Sequence, residues 1–203
     1  MSKIVINLMV VLISALSVPT ALAQTEVEIS AVREDMDFLR YNKFLIQPLD
    51  IADTRLIPPP WAEGEAGKPR AWDISKKNAQ FLQDRYQTAM QKQLEELGGY
   101  TLTDQPEDDA LAVEIEIISL TPWAEPNGEA ITKGSGEMTF RAEIRDSMTR
   151  EILVVFEGDT PVGEDYQEHT EFSVQQNVGE LFESWGELLR TKLGEAKKAQ
   201  ENP

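Results

Sequence analysis

Gly134 to Gly158 read GSGEMTFRAEIRDSMTREILVVFEG. In the first half Met138, Phe140, Ala142 and Ile144 alternate with Thr139, Arg141, Glu143 and Arg145. A strand sends successive side chains to opposite sides, so the pattern predicts a strand with one dry and one wet face. In the second half Ile152 to Phe156 is an unbroken apolar run, mostly β-branched and aromatic, as in a strand buried on both faces. Asp146, Ser147, Thr149 and Arg150 make a polar break of hairpin length between the two. The stretch is a central β-hairpin, informative about fold and poor in chemistry.

Working outward toward the N-terminus, Leu111, Val113, Ile115 and Ile117 alternate with Ala112, Glu114 and Glu116, a half-buried strand ending near Pro122. Ser75 to Leu97 carries Ala79, Leu82, Tyr86, Ala89, Met90, Leu94 and Leu97 at helical spacing, one apolar stripe of an amphipathic helix. Asp73 or Ser75 can cap its start, and Gly98-Gly99 supplies a left-handed stop. Tyr100 to Thr103 is a candidate short strand, and Tyr41 to Leu49 reads as the first strand with Pro48 at its end. Asp50 to Trp72 holds Pro58, Pro59, Pro60, Gly64, Gly67 and Pro69, so it is a long extended loop, and Thr121 to Lys133 is a second loop.

Beyond the hairpin, Gly158 to Glu171 is polar and acidic. A final helix is expected from Ser173, capped by Ser173 with Gln176, with Val174, Val178, Leu181, Trp185, Leu188 and Leu193 on its apolar stripe. This order predicts an α/β fold: a two-layer sandwich of one mixed or mostly antiparallel sheet, four to five strands, with two helices packed on one face. Glu114, Glu116, Thr139, Arg141 and Glu143 then fall on the uncovered face. The chain divides into residues 1–23, an N-terminal segment 24–40 with a short strand or helical turn, a single domain 41–193, and a tail 194–203 expected to fray.

Residues 1–23 have the order of an export signal: Lys3, an apolar run from Ile4 to Val18, then Ala21-Leu22-Ala23 before Gln24. The run is short for a spanning helix and meets Pro19, so cleavage after Ala23 and a periplasmic or secreted product without membrane insertion are expected. Loss of this segment removes Lys3 and no acid, taking the formal charge from -17 to -18. That balance repels nucleic acid and anionic lipid and favours basic partners. The sequence contains no cysteine, which excludes disulfides, thiol catalysis, Cys-ligated zinc and a lipobox attachment site.

The segment GEMTFRAEIRDSMTREILVVFEGD, with FLRYNKF at 38–44, GGYTLTD, DALAVEIEI and a last helix bearing Trp185, resembles an uncharacterised family of envelope lipoproteins and secreted proteins. That family is the domain of unknown function numbered thirty-three thirteen. The likeness spans about residues 36–193, and Asp146-Ser147-x-Thr149 is its most specific element. More distantly the pattern is similar to envelope accessory domains such as the amino-terminal domain of TolB. This chain lacks the lipobox Cys of the lipoprotein members and has Arg150 where members often have Gly. The family has no established catalytic residues, so the resemblance assigns none.

The residues themselves assign no catalytic, cofactor-binding or metal-binding set, and no cofactor is expected. The one histidine, His169, lies in an acidic loop without an evident partner. Ser135 sits between Gly134 and Gly136 before a strand, unlike a nucleophile elbow. Acidic runs such as Glu107-Asp108-Asp109 lack the order of a calcium loop. Trp61, Trp72 and Trp123 stand in the two proline-containing loops and are the candidate binding surface, with loop anchoring as the plainer role of their rings. A non-enzymatic envelope module that binds a protein or envelope component is the preferred reading. A carrier of a small hydrophobic or glycan ligand ranks second and a carboxylate-based hydrolase third.

Overall fold

The computed structural model describes residues 26–33, 36–57, 74–124 and 130–202, with the backbone alone for 26–32. The strands are β1 (Glu26–Val32), β2 (Lys43–Ile46), β3 (Arg55–Leu56), β4 (Thr101–Thr103), β5 (Ala110–Pro122), β6 (Ile131–Lys133), β7 (Gly136–Asp146), β8 (Ile152–Val162) and β9 (Tyr166–Glu168). The helices are α1 (Lys76–Met90), continued by a π-helical turn Gln91–Glu96, and α2 (Glu171–Glu201). Among the described residues seven strands form one mixed sheet in the order β1-β8-β7-β5-β2-β4, with β3 also beside β5. β5, β7, β8 and β1 are antiparallel, whereas β2 runs parallel to β4 and β5. The fold class is as expected, and the sheet is wider than the four to five strands predicted. The extra strands are β1, whose alternation breaks at a register shift after Ile29, and β3, two residues long.

The central hairpin forms as read, with Met138, Phe140, Ala142 and Ile144 buried on one face of β7. Across β5 they meet Leu111, Val113, Ile115 and Ile117 in one core with Leu82, Tyr86, Met90, Leu94, Val178, Leu181, Phe182 and Trp185 of the helical layer. Phe140 and Trp185 rings lie 4.3 Å apart, and Phe182 meets Trp185 edge-on at 5.2 Å. Both helices therefore cover the same face. Ser75 caps α1 by accepting from Asn78 N–H at 3.1 Å, and Gly99, at φ 69°, takes the left-handed stop that a side chain disfavours.

Four expectations need correction. Leu97 is 56% exposed, because the π-helical turn adds a residue to the helical period, turning Leu97 out and burying Gln93. Gln93 then lies against Gly186, where a Cβ would come within 2.8 Å of the Gln93 Cβ. The first strand is shorter than Tyr41 to Leu49, its ladder ending at Ile46 before Pro48, which has no N–H to donate. The last helix starts at Glu171, not Ser173: Thr170 is the cap and trades hydrogen bonds with Ser173. The same helix runs on through the tail expected to fray after Gly194. It is held there because Lys197 Nζ donates to Tyr41 O at 2.6 Å, while the Gln200 amide accepts from Phe38 N–H and donates to Met36 O.

Candidate functional site

The face of the sheet turned away from the helices is built by the polar alternates of the same strands. On β5, β7 and β8 they align in cross-strand rows. Ser119 faces Thr139, which faces Asp159; Glu116 faces Arg141, which faces Glu157; Glu114 faces Glu143. The first row is a hydrogen-bonded chain: Ser119 Oγ to Thr139 Oγ1 is 2.9 Å, and Thr139 Oγ1 donates to Asp159 Oδ1 at 2.6 Å. The like charges of Glu114 and Glu143 would repel directly across a ladder, and a guanidinium joins them. Arg145 bridges Glu143 and Glu114, the latter at 3.0 Å, and Arg141 reaches Glu143 at 2.9 Å and Glu157 at 3.4 Å.

A groove of about 340 Å³ opens on this face. Gln47, Pro48 and Asp50 wall it on one side, Glu114 and Glu116 of β5 form the floor, and Arg141 and Glu143 of β7 close the other side. The wall exists because the chain leaving β2 stays beside β5: Gln47 N–H donates to Val113 O at 3.0 Å, and Asp50 N–H donates to Ile115 O at 2.8 Å. Of the four carboxylates lining this groove, Glu114 and Glu143 are paired with Arg141, Arg145 and Arg150, whereas Asp50 and Glu116 are exposed and have no ion-pair partner among the described residues, so this pair suits a positively charged group.

The motif Asp146-Ser147-x-Thr149 has a different job. The Asp146 carboxylate, 3% exposed, accepts from Met148 N–H at 3.0 Å, Thr149 N–H at 2.8 Å, the Tyr41 hydroxyl at 2.8 Å and the Arg40 guanidinium. Burial alone would raise its pKa, but the Thr149 and Tyr41 hydrogen bonds and the Arg40 charge together hold it below the ordinary carboxylate range. Burial, with the adjacent Asp146, pushes the Tyr41 phenol up to about 12. Ser147 Oγ donates to Glu107 O at 2.7 Å and accepts from Glu107 N–H at 2.9 Å. Arg150 follows at φ 63°, a left-handed position that favours glycine. Its guanidinium meets Glu114 and its carbonyl accepts from Arg145 at 2.7 Å. The motif is a knot joining hairpin turn, N-terminal segment and the β4–β5 connection.

Of the candidate tryptophans, Trp61 and Trp72 lie outside the described residues. Trp123 is half-buried, its backbone N–H donating to Ser135 O at 3.2 Å. Trp185 is core, as its stripe indicates. Ser135 is buried with its Oγ accepting from Asn177 Nδ2 at 2.7 Å. His169 is buried, and burial lowers its pKa. The groove walls Gln47, Pro48 and Asp50 had no signal in the sequence beyond a proline-ended strand.

Among the described residues no three His, Cys, Asp or Glu side chains are grouped to hold a metal ion, and no helix is long and apolar enough to cross a membrane. Residues 19–189 match the family described as Protein of unknown function (DUF3313), and the chain belongs to that family. No protein of curated function matches. Among solved structures, the chain is similar to the PelC dodecamer from Paraburkholderia phytofirmans, at 9% identity and a TM-score of 0.42 over 81% of this chain and 96% of that one. It is also similar to a protein of Xanthomonas campestris matched by the DUF330 family model, at 11% identity and 0.44 over 88% and 97%. Likenesses of this size carry neither a partner nor an assembly over to this chain.

Proposed function

We propose that the protein is an exported, non-enzymatic envelope module that binds a basic segment of a protein or other envelope component on the outward face of its sheet. The observation that carries this reading is the groove that presents the exposed carboxylates of Asp50 and Glu116 beside the arginine-paired Glu114 and Glu143. Exposed ion pairs contribute little to stability, about 0–1 kcal/mol each, so a face this rich in charge is better suited to recognition than to folding. The engaged Ser135 hydroxyl and the buried His169 support a non-catalytic role. The second reading, a carrier with a pocket lined by the loop tryptophans, turns on Trp61 and Trp72, which lie outside the described residues.

Affinity capture from envelope extract tests the reading. A specific partner retained at low ionic strength and released by about 0.5 M salt is expected; no partner, or one indifferent to salt, counts against it. Export is tested by N-terminal sequencing of the envelope-located protein. The chain should begin at Gln24, and an intact leader contradicts the proposed route.

A further inference from the structure

The three most exposed large apolar side chains among the described residues are Tyr166 at 77%, Phe172 at 76% and Ile131 at 72%. Two of them belong to the small ribbon of β6 and β9, separate from the main sheet, and Phe172 lies in the first turn of α2, which follows β9. In the ribbon Ile131 pairs with Glu168, Thr132 with Gln167 and Lys133 with Tyr166. Alternation puts Thr132 and Gln167 on the inner, half-buried side and leaves Ile131, Lys133, Tyr166 and Glu168 together on the outer side. Cross-strand neighbours are about 5 Å apart and residues two along a strand about 7 Å. The four side chains thus mark the corners of a near-square, apolar on one diagonal and oppositely charged on the other.

We propose that this face is a self-association surface whose occupant is the same face of a second copy of this chain. The argument is its charge pattern. A two-fold axis along the Ile131–Tyr166 diagonal sets Ile131 on its counterpart and Tyr166 on its counterpart. The same operation exchanges the other corners, placing each Lys133 over the other copy's Glu168. The two ribbons then cross near a right angle, an ordinary packing of β-layers. Among the described residues neither Lys133 nor Glu168 has an ion-pair partner within the chain, so both are free to pair across the axis. An isologous contact is the ordinary form of a dimer. Four side chains a copy fall short of the roughly 800 Å² per partner of a stable complex, so the association is weak and concentration-dependent.

Sedimentation of the purified protein from about 10 µM to about 1 mM tests this, the range in which a weak dimer assembles. The weight-average mass is expected to climb toward that of a dimer. Tyr166→Asp should stay monomeric throughout, and Lys133→Glu and Glu168→Lys, each turning both cross-axis pairs into like-charge contacts, should each weaken the dimer by at least about tenfold. The double variant K133E/E168K should regain wild-type association, because both cross-axis pairs are restored with signs exchanged. A protein that remains monomeric at the highest concentration overturns the proposal. So does an assembly that these variants leave unchanged, or a double variant no tighter than the singles.

Discussion

The two faces of the one sheet are made by alternate residues of the same strands, yet they rest on different physics. The inward face joins aliphatic and aromatic side chains of β5, β7 and β8 to both helices in one cluster. The outward face carries Glu114, Arg141, Glu143, Arg145 and Glu157 in shared ion pairs, half-exposed at Arg141 and Glu157 and more buried at Glu114, Glu143 and Arg145. Burial of apolar area drives folding, whereas such ion pairs nearly cancel against their own desolvation and ordering. Where charge has little to offer the fold, its arrangement is most naturally directed at something outside the chain.

The contrast breaks most visibly in the core. Phe140→Ala, under the Trp185 ring, should cost about 3–5 kcal/mol and lower Tm by roughly 10 °C or more in a thermal melt. A loss as small as that of an outward-face variant would erase the distinction. Asp146→Ala comes next, at about 2–3 kcal/mol by denaturant unfolding, since it strands the Tyr41 hydroxyl and two turn N–H groups. Asp146 titrates lower in the folded chain than in the unfolded one. Its stabilisation is therefore complete above the unfolded pKa, about 4, and is lost as pH falls through the folded pKa. The deficit of Asp146→Ala relative to wild type should accordingly shrink in acid unfolding below about pH 4.

On the outward face, Arg141→Ala should cost under about 1 kcal/mol, and less still in high salt. A penalty of several kcal/mol would show that this face supports the fold after all. The smallest effect is expected from Arg150→Gly. Relief of the left-handed backbone at φ 63°, about 1 kcal/mol, is set against the lost Glu114 contact and a looser unfolded chain. Tm should stay within about 2 °C of wild type.

Much of this contrast is legible in the sequence because period-two alternation assigns both faces at once. Met138 to Ile144 and Leu111 to Ile117 go inward as read, and the polar alternates go outward. Phe182, fully buried, escapes the stripe as read because it stands beside Leu181 on the same side of α2. The exit of Leu97 depends on a π-helical turn, a change of period that no single residue announces. The helical tail depends on Lys197 and Gln200 reaching Met36, Phe38 and Tyr41 about 160 positions away, a tertiary fact with no local trace. The groove likewise needs Gln47 to Asp50 laid against β5, and short β6 and β9 become a ribbon only because they find each other. The motif Asp146-Ser147-x-Thr149 is visible as a turn, but that its carboxylate gathers Arg40 and Tyr41 follows only from the fold.

The claim that the outward face recognises a basic partner is tested most directly by D50N/E116Q, which removes the charge of two exposed groove residues and spares every ion pair named above. Wild type and variant would be compared in thermal melts and in capture from the same envelope extract. Unchanged melting with capture weakened at least about tenfold is the result this account predicts. Undiminished capture by the variant would contradict it and move recognition to another surface.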